Sequence, residues 1–305
     1  MIDIFLVFAS LASAITVNKL LLVNLPPIFF VGIRMLLAGL ILFIVLRIKK
    51  QRIPWGLVRT DALILSGIII WASAPPLLKA YALKYLPSAK AAYFGALDPF
   101  ITSIYAYFLF SEKITLRQII GIAIGVGGAC VILMPGGSFE PWHAFSFFSY
   151  PELAALGAVA LGRLGWLLAQ KILRQGKYSP LQLNAMTMLC CGVLSLGISG
   201  IVDRGFFSTI VHDPSQLPLL GWWYVFLLGY TVIVGNVVSI TYYATLLKKY
   251  PATLLSLAGF SVPLFVAIYG YFFLHEPLST SFFISCLLTF TGLIIFSSGK
   301  KEQLS

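Results

Sequence analysis

Residues 80–128 read AYALKYLPSAKAAYFGALDPFITSIYAYFLFSEKITLRQIIGIAIGVGG, and the stretch returns as residues 244–292, ATLLKKYPATLLSLAGFSVPLFVAIYGYFFLHEPLSTSFFISCLLTFTG. Pro87 recurs as Pro251, Gly95 as Gly259, Pro99 as Pro263, Glu112 as Glu276 and Gly128 as Gly292. Without a gap, 13 of the 49 positions are identical. Composition alone would give roughly four, because apolar repeats inflate chance matches. The chain therefore carries an internal duplication.

What is duplicated follows from composition. The 305 residues are 59% hydrophobic and 10% charged, well under half the charge of an ordinary soluble domain. A helix needs about 20 predominantly apolar residues to cross the hydrocarbon core of a bilayer. That ruler gives ten spans, at about 3–22, 27–47, 61–83, 88–110, 115–134, 150–173, 180–202, 219–246, 252–274 and 279–298. The joining segments are short, the longest being 135–149 and 203–218, and none is long enough for a soluble domain. The expected fold class is an all-α membrane protein with ten transmembrane helices. They fall into a first five-helix repeat over 1–134 and a second over 150–298. Five is odd, so the second copy enters the membrane from the opposite face. That is an inverted-topology repeat, the architecture of many secondary transporters.

The basic residues give a second, independent reading. With the N-terminus in the cytoplasm, the cytoplasmic segments hold 14 of the 21 Lys and Arg, from Arg47, Lys49 and Lys50 to Lys300 and Lys301. The outer segments hold three: Lys84, Lys90 and Arg204. Such an asymmetry satisfies the positive-inside rule and puts both termini in the cytoplasm. It also accounts for the net charge of +11 without a nucleic-acid partner, since the charge lies in short loops at membrane ends. The first span lacks the basic n-region of a signal peptide and carries Asp3, so it reads as an uncleaved helix.

No enzyme chemistry is legible. There is no Walker-A loop, dinucleotide fingerprint, G-x-S-x-G elbow or zincin motif. Cys130, Cys190, Cys191 and Cys286 fall within spans, without zinc-ligand spacing to each other or to His143, His212 and His275. No metal and no cofactor is expected, and neither is ATP-driven pumping by this chain itself.

The motif Ala82-Leu83-Lys84-Tyr85-Leu86-Pro87-Ser88-Ala89, then Asp98-Pro99-Phe100, Glu112-Lys113-Ile114 and Gly121, Gly125 and Gly128 resemble the EamA type of the drug/metabolite transporter superfamily. The second copy repeats Pro251-Ala252, Pro263-Leu264, Glu276-Pro277-Leu278 and Gly292, and Arg34 also fits the family pattern. The resemblance covers essentially the whole chain. It implies a membrane transporter for amino acids or other small metabolites, with S-adenosylmethionine or nucleotide carriers among the relatives, in a bacterial inner membrane. One departure stands out: Asp98 occupies a position that the family fills with an apolar residue, and its repeat partner is Val262.

Ionisable residues within spans carry the mechanism, since each costs several kcal/mol on insertion scales and faces a cavity or a partner. Lys19, Arg34 and Lys79 lie in the outer half, whereas Asp98 and Arg163 lie nearest the midplane. Lys19 and Lys90, near span ends, can also be read as snorkelling to the headgroups. On a helix Lys90, Phe94, Asp98, Thr102 and Tyr105 form one stripe. Asp98 can bind substrate or a proton, or form a packing salt bridge to Arg34 or Arg163. Trp71, Pro75 and Lys79 share a face of the third span, and Pro75-Pro76 should kink or break it. Arg163, Trp166 and Gln170 share a face of the sixth, and Asn236, Ser239 and Tyr243 one of the eighth. The candidate substrate-binding set is Lys19, Arg34, Trp71, Lys79, Phe94, Asp98, Tyr105, Arg163, Trp166, Asn236 and Tyr243. Aromatics with a few polar groups suit a small polar metabolite with a flat part.

Glu112 and Glu276 precede the fifth and tenth spans. There a carboxylate complements the positive helix N-terminus, with Thr115 and Ser279 as caps. Gly121, Gly125 and Gly128 allow close helix approach, which makes span 5, or its counterpart span 10, a packing helix and a candidate homodimer contact. The expected function is alternating-access transport of a small anionic or zwitterionic metabolite, amino-acid-like or nucleotide-like. Arg34, Lys79 and Arg163 would draw its negative group, and Asp98 a positive group or a proton. The other readings are a flippase of lipids or lipid precursors, whose partner is the membrane lipid itself, and a non-transporting scaffold. The second is disfavoured by charges deep in the spans without a signalling domain.

Overall fold

A computed structural model describes residues 2–51, 53–54, 58, 61–110, 115–133, 149–212, 221–250, 255, 258–259 and 261–301. The described residues are mainly helical, with no strand among them. The helices are α1 (Ile2–Leu22), α2 (Pro27–Ile48), α3 (Ala62–Tyr85), α4 (Ser88–Tyr93), α5 (Asp98–Phe110), α6 (Leu116–Leu133), α7 (Tyr150–Arg174), α8 (Pro180–Val202), α9 (Arg204–His212), α10 (Trp222–Tyr230), α11 (Thr241–Lys249), α12 (Ser261–Leu274) and α13 (Thr280–Lys301). A 3₁₀ segment, Phe94–Leu97, joins α4 to α5, and a π-helix, Thr231–Ile240, joins α10 to α11. Six of the described helical stretches are long and apolar enough to cross a membrane: Asp3–Leu22, Pro27–Ile48, Ala62–Tyr85, Tyr150–Arg174, Pro180–Val202 and Trp222–Lys249. Large apolar side chains such as Leu63, Ile70, Val193, Phe226, Phe273 and Leu287 cover the outside, as a lipid-facing surface requires.

The helix ends are written locally. Pro27 and Pro180 open α2 and α8 at the first turn, where proline's missing N–H costs nothing. Ser179 and Gln182 form a capping box, with Gln182 N donating to Ser179 Oγ at 3.2 Å and Ser179 N to Gln182 Oε1 at 2.7 Å. Thr115 and Gln118 repeat the device on α6. Gly176, at φ +72°, closes α7, a left-handed position that glycine takes without a Cβ penalty.

Two seams of small residues hold the helices in antiparallel pairs. On α2 and α8, a Cβ at Gly39 would lie 2.7 Å from Leu189 N, and one at Gly32 2.9 Å from Leu196 N, while Gly192 faces Leu36. On α6 and α13, a Cβ at Gly121 would lie 2.6 Å from Gly292 O, and one at Gly128 2.9 Å from Ser285 O. The glycines of span 5 are thus turned inward onto α13, and a dimer contact on α6 would use its other faces. α3 packs on α7, and α1 on α12.

Two local expectations are corrected, and one joining segment proves to hold a short helix. Pro75-Pro76 does not break α3, which runs unbroken from Ala62 to Tyr85. The Trp71 carbonyl, deprived of its helical donor, faces Gly165 of α7, whose absent Cβ leaves it room. The joining segment 203–218 contains α9, anchored by Phe206 and Phe207 against Phe29 at ring separations of 5.1 and 5.6 Å. Glu276 does not serve the helix that follows it. Its carboxylate accepts from Ser88 N at 2.9 and 3.1 Å and from Ser88 Oγ, so it caps α4 from the other half of the chain. Ser279 does cap its own helix, accepting from Phe282 N at 3.1 Å. Glu112 lies outside the described residues.

Candidate functional site

At the centre of the bundle lies a cavity of about 410 Å³. Its wall comes from α1, α2, α3, α4, the 3₁₀ segment, α7, α8, the π-helix and α11, with Asp98 at the start of α5 and with Leu255, Gly259 and Val262. No residue of α6 or α13 is among the described residues that line it. The wall is mainly apolar, with a small set of polar groups, the composition expected of a small-molecule site.

Of the eleven residues expected at the site, seven share this wall: Arg34, Lys79, Asp98, Arg163, Trp166, Asn236 and Tyr243. Arg163 is 1% exposed. Its Nη1 lies 3.1 Å from Asp98 Oδ2, and its Nε donates to Thr102 Oγ1. Tyr243 also stands within hydrogen-bonding reach of this guanidinium. The pair therefore ties α7 to α5 beside the π-helix. Of the two partners open to Asp98, the structure selects Arg163.

Arg34 and Lys79 are held differently. The Arg34 guanidinium lies 5.0 Å above the Phe30 ring, and its Nε is buried without a hydrogen-bond partner. Lys79 has an exposed side chain that lines the cavity. Among the described residues neither cation has an ion pair. Trp166 and Tyr243 meet edge to face at 4.9 Å, and Phe8 adds a third ring 6.1 Å from Tyr243. Asn236 Nδ2 points at Met35 Sδ at 3.0 Å. It sits on a π-helix, a backbone form that recurs at functional sites.

The other four lie elsewhere. The Lys19 ammonium donates to the carbonyls of Leu83 at 2.7 Å, Lys84 at 3.2 Å and Leu86 at 2.7 Å. It closes the C-terminus of α3 instead of snorkelling, and Lys90 likewise pairs with Glu152 at 2.7 Å. Trp71 contributes its carbonyl to the α3–α7 contact. Tyr105 donates its hydroxyl to Ala160 O at 3.0 Å. Phe94 is fully buried in a core cluster with Tyr93 and Leu97. The 3₁₀ segment explains its departure from the stripe: at three residues per turn instead of 3.6, four residues turn the chain about 80° further.

Sequence reasoning missed Asn18 and Asn184, both on the wall. They are 8% and 5% exposed, and Asn18 Oδ1 and Asn184 Nδ2 have no hydrogen-bond partner. A signal existed. Leu11, Ala14, Ile15, Asn18 and Leu22 follow helical spacing along α1, and Asn184, Thr187, Met188 and Cys191 do so along α8; both stripes line the cavity.

With this geometry in hand, the comparisons are specific. Residues 1–134 and 150–298 match the EamA-like transporter family. The chain belongs to that family. It is therefore an integral membrane protein of a transporter family, not of an enzyme family. It is 29% identical over 279 residues to the S-adenosylmethionine/S-adenosylhomocysteine transporter of Chlamydia muridarum, covering 90% of this chain and 84% of that one. It is 26% identical over 290 residues to the transporter YvbV of Bacillus subtilis, covering 94% and 87%. A solved crystal structure superposes on this EamA-like chain with a TM-score of 0.67, at 16% identity, over 100% of this chain and 97% of the other. That likeness speaks for the fold alone.

Proposed function

We propose that this protein is a secondary carrier working by alternating access, and that its cargo is a small zwitterionic or anionic metabolite, amino-acid-like or nucleotide-like, S-adenosylmethionine-like solutes included. The observation that carries the reading is the central cavity, where four ionisable side chains, Arg34, Lys79, Asp98 and Arg163, meet the rings of Trp166 and Tyr243. Charges at such depth in a membrane bundle are expensive and mark solute paths. The size suits one metabolite, and the rings suit its flat part.

The proposed frame is ten spans in two inverted five-helix repeats, residues 1–134 and 150–298, with both termini in the cytoplasm of a bacterial cell. The glycine seam supports it. The repeat relates residue 121 to 285, 125 to 289 and 128 to 292. Gly128 faces Ser285 and Thr289, while Gly292 faces Gly121 and Gly125. The relation exchanges these contacts, as a pseudo-two-fold axis between α6 and α13 would.

The test is counterflow in liposomes with labelled amino acids, nucleotides, S-adenosylmethionine and S-adenosylhomocysteine. Saturable exchange of one solute, abolished by Arg34→Gln in a folded protein, is the expected result. Lipid scrambling in the same vesicles with no solute exchange would establish the flippase reading instead.

A further inference from the structure

The described charges on the cavity wall are three cations and one carboxylate, and they are not equally engaged. Asp98 is committed to Arg163 at 3.1 Å. Among the described residues Arg34 and Lys79 form no ion pair, Asp98 acting on Lys79 only through space, and Arg34 Nε is buried without a hydrogen-bond partner. The acceptor Asn18 Oδ1, in a side chain 8% exposed, is likewise unpartnered on the same wall. A buried guanidinium nitrogen without an acceptor is costly in the empty protein, and an unpaired buried amide adds to that cost. Both penalties are relieved by a ligand that brings an anion to the cations and a donor to the amide. An α-amino acid end does both.

We infer that Arg34 and Lys79 form a carboxylate receptor in a cavity of net positive charge, so that the site favours zwitterionic solutes over solutes carrying an additional fixed positive charge. The inference rests on the carrier reading above and sharpens it. S-Adenosylhomocysteine and S-adenosylmethionine differ by one methyl group and one sulfonium charge. The first is a neutral zwitterion and the second a net cation. Shape scarcely separates them, so the electrostatics of the wall must. Trp166 and Tyr243 are available to the adenine ring of either, and Asp98, already offset by Arg163, offers the sulfonium no free carboxylate.

The experiment is equilibrium binding of three probes to the purified full-length protein: S-adenosylhomocysteine, S-adenosylmethionine and 5′-methylthioadenosine, which lacks the amino-acid end. The wild-type protein should bind S-adenosylhomocysteine about tenfold more tightly than S-adenosylmethionine, the effect of one unit charge across a partly hydrated cavity. Lys79→Met removes a cation that forms no ion pair among the described residues, so the protein should stay folded. It should weaken S-adenosylhomocysteine about tenfold, narrow the gap between the two solutes and leave 5′-methylthioadenosine unchanged. Equal or tighter binding of S-adenosylmethionine by the wild-type protein overturns the charge rule while leaving the carrier reading in place. Unchanged S-adenosylhomocysteine affinity in Lys79→Met overturns the carboxylate receptor. Failure of all three probes to bind overturns this inference together with the S-adenosylmethionine-like cargo.

Discussion

Removing Arg163 should damage the protein more than removing Arg163 and Asp98 together. Arg163 is 1% exposed, 3.1 Å from Asp98, and bonded to Thr102. Breaking a buried pair by deleting one partner costs about 3–5 kcal/mol, and Asp98, 23% exposed on the cavity wall, puts this pair at the lower end of that range. Arg163→Met should therefore lower the melting temperature in detergent on the order of 5–10 °C. In Asp98→Leu/Arg163→Met both charges go and apolar groups fill their place. Thr102 keeps a partner, since its hydroxyl already donates to Asp98 O at 2.7 Å. The double variant should recover more than half of the loss, a coupling of about 2 kcal/mol or more. It should nevertheless fail in solute exchange if this corner of the cavity handles cargo. Additive losses in the four-protein cycle would refute the reasoning, because they would mean that the two charges do not feel each other.

Single cysteines in a cysteine-free background test the proposed orientation: Ser138→Cys or Asp213→Cys should label from outside, and Lys50→Cys or Gly176→Cys should not; labelling of residue 50 from outside would invert the topology. Gly121→Ala and Gly292→Ala should each cost about 1–3 kcal/mol by detergent melting, since the added Cβ meets backbone, whereas Gly127→Ala, with nothing within 4 Å, should be silent. Asp98→Asn keeps the size of the side chain and removes its charge; loss of gradient-driven accumulation with exchange retained is the expected result for a proton-coupled carrier, and no change in either assay would leave Asp98 a packing residue.

Much of this was legible in the sequence because charge and repetition survive without geometry. Arg34, Lys79, Asp98 and Arg163 were identified by the cost of placing such groups in a span, and that cost is the same whatever the packing. The 49-residue repeat puts Gly128 and Gly292 in register before any contact is known. Lys19 shows the limit. A lysine four residues from a span end looks the same whether it snorkels, binds solute or, as here, closes the end of a neighbouring helix. Phe94 was placed on a stripe by assuming an unbroken α-helix, and four residues of 3₁₀ turn are invisible in the residue types. Asn18 and Asn184 were overlooked because an amide in a span is cheap enough to pass for packing until its partner is found missing.

The irregular backbone and the cavity coincide for one physical reason. In hydrocarbon, every carbonyl freed by a proline or a change of helical pitch must find a donor within the protein, so lipid-facing helices stay regular. Here the 3₁₀ segment, the Pro75-Pro76 pair and the π-helix all belong to cavity-lining elements, while α6 and α13, of which no described residue lines the cavity, are unbroken α-helices. Two such carbonyls are met locally: Gly95 O accepts from Asp98 N, and Val234 O accepts from Ser239 Oγ at 2.6 Å. Glycine-seamed pairs thus hold the bundle together, and the 3₁₀ and π segments lie where Asp98 and Asn236 join the cavity wall. The distortion that sequence periodicity fails to see lies where the chemistry it does see meets on one wall.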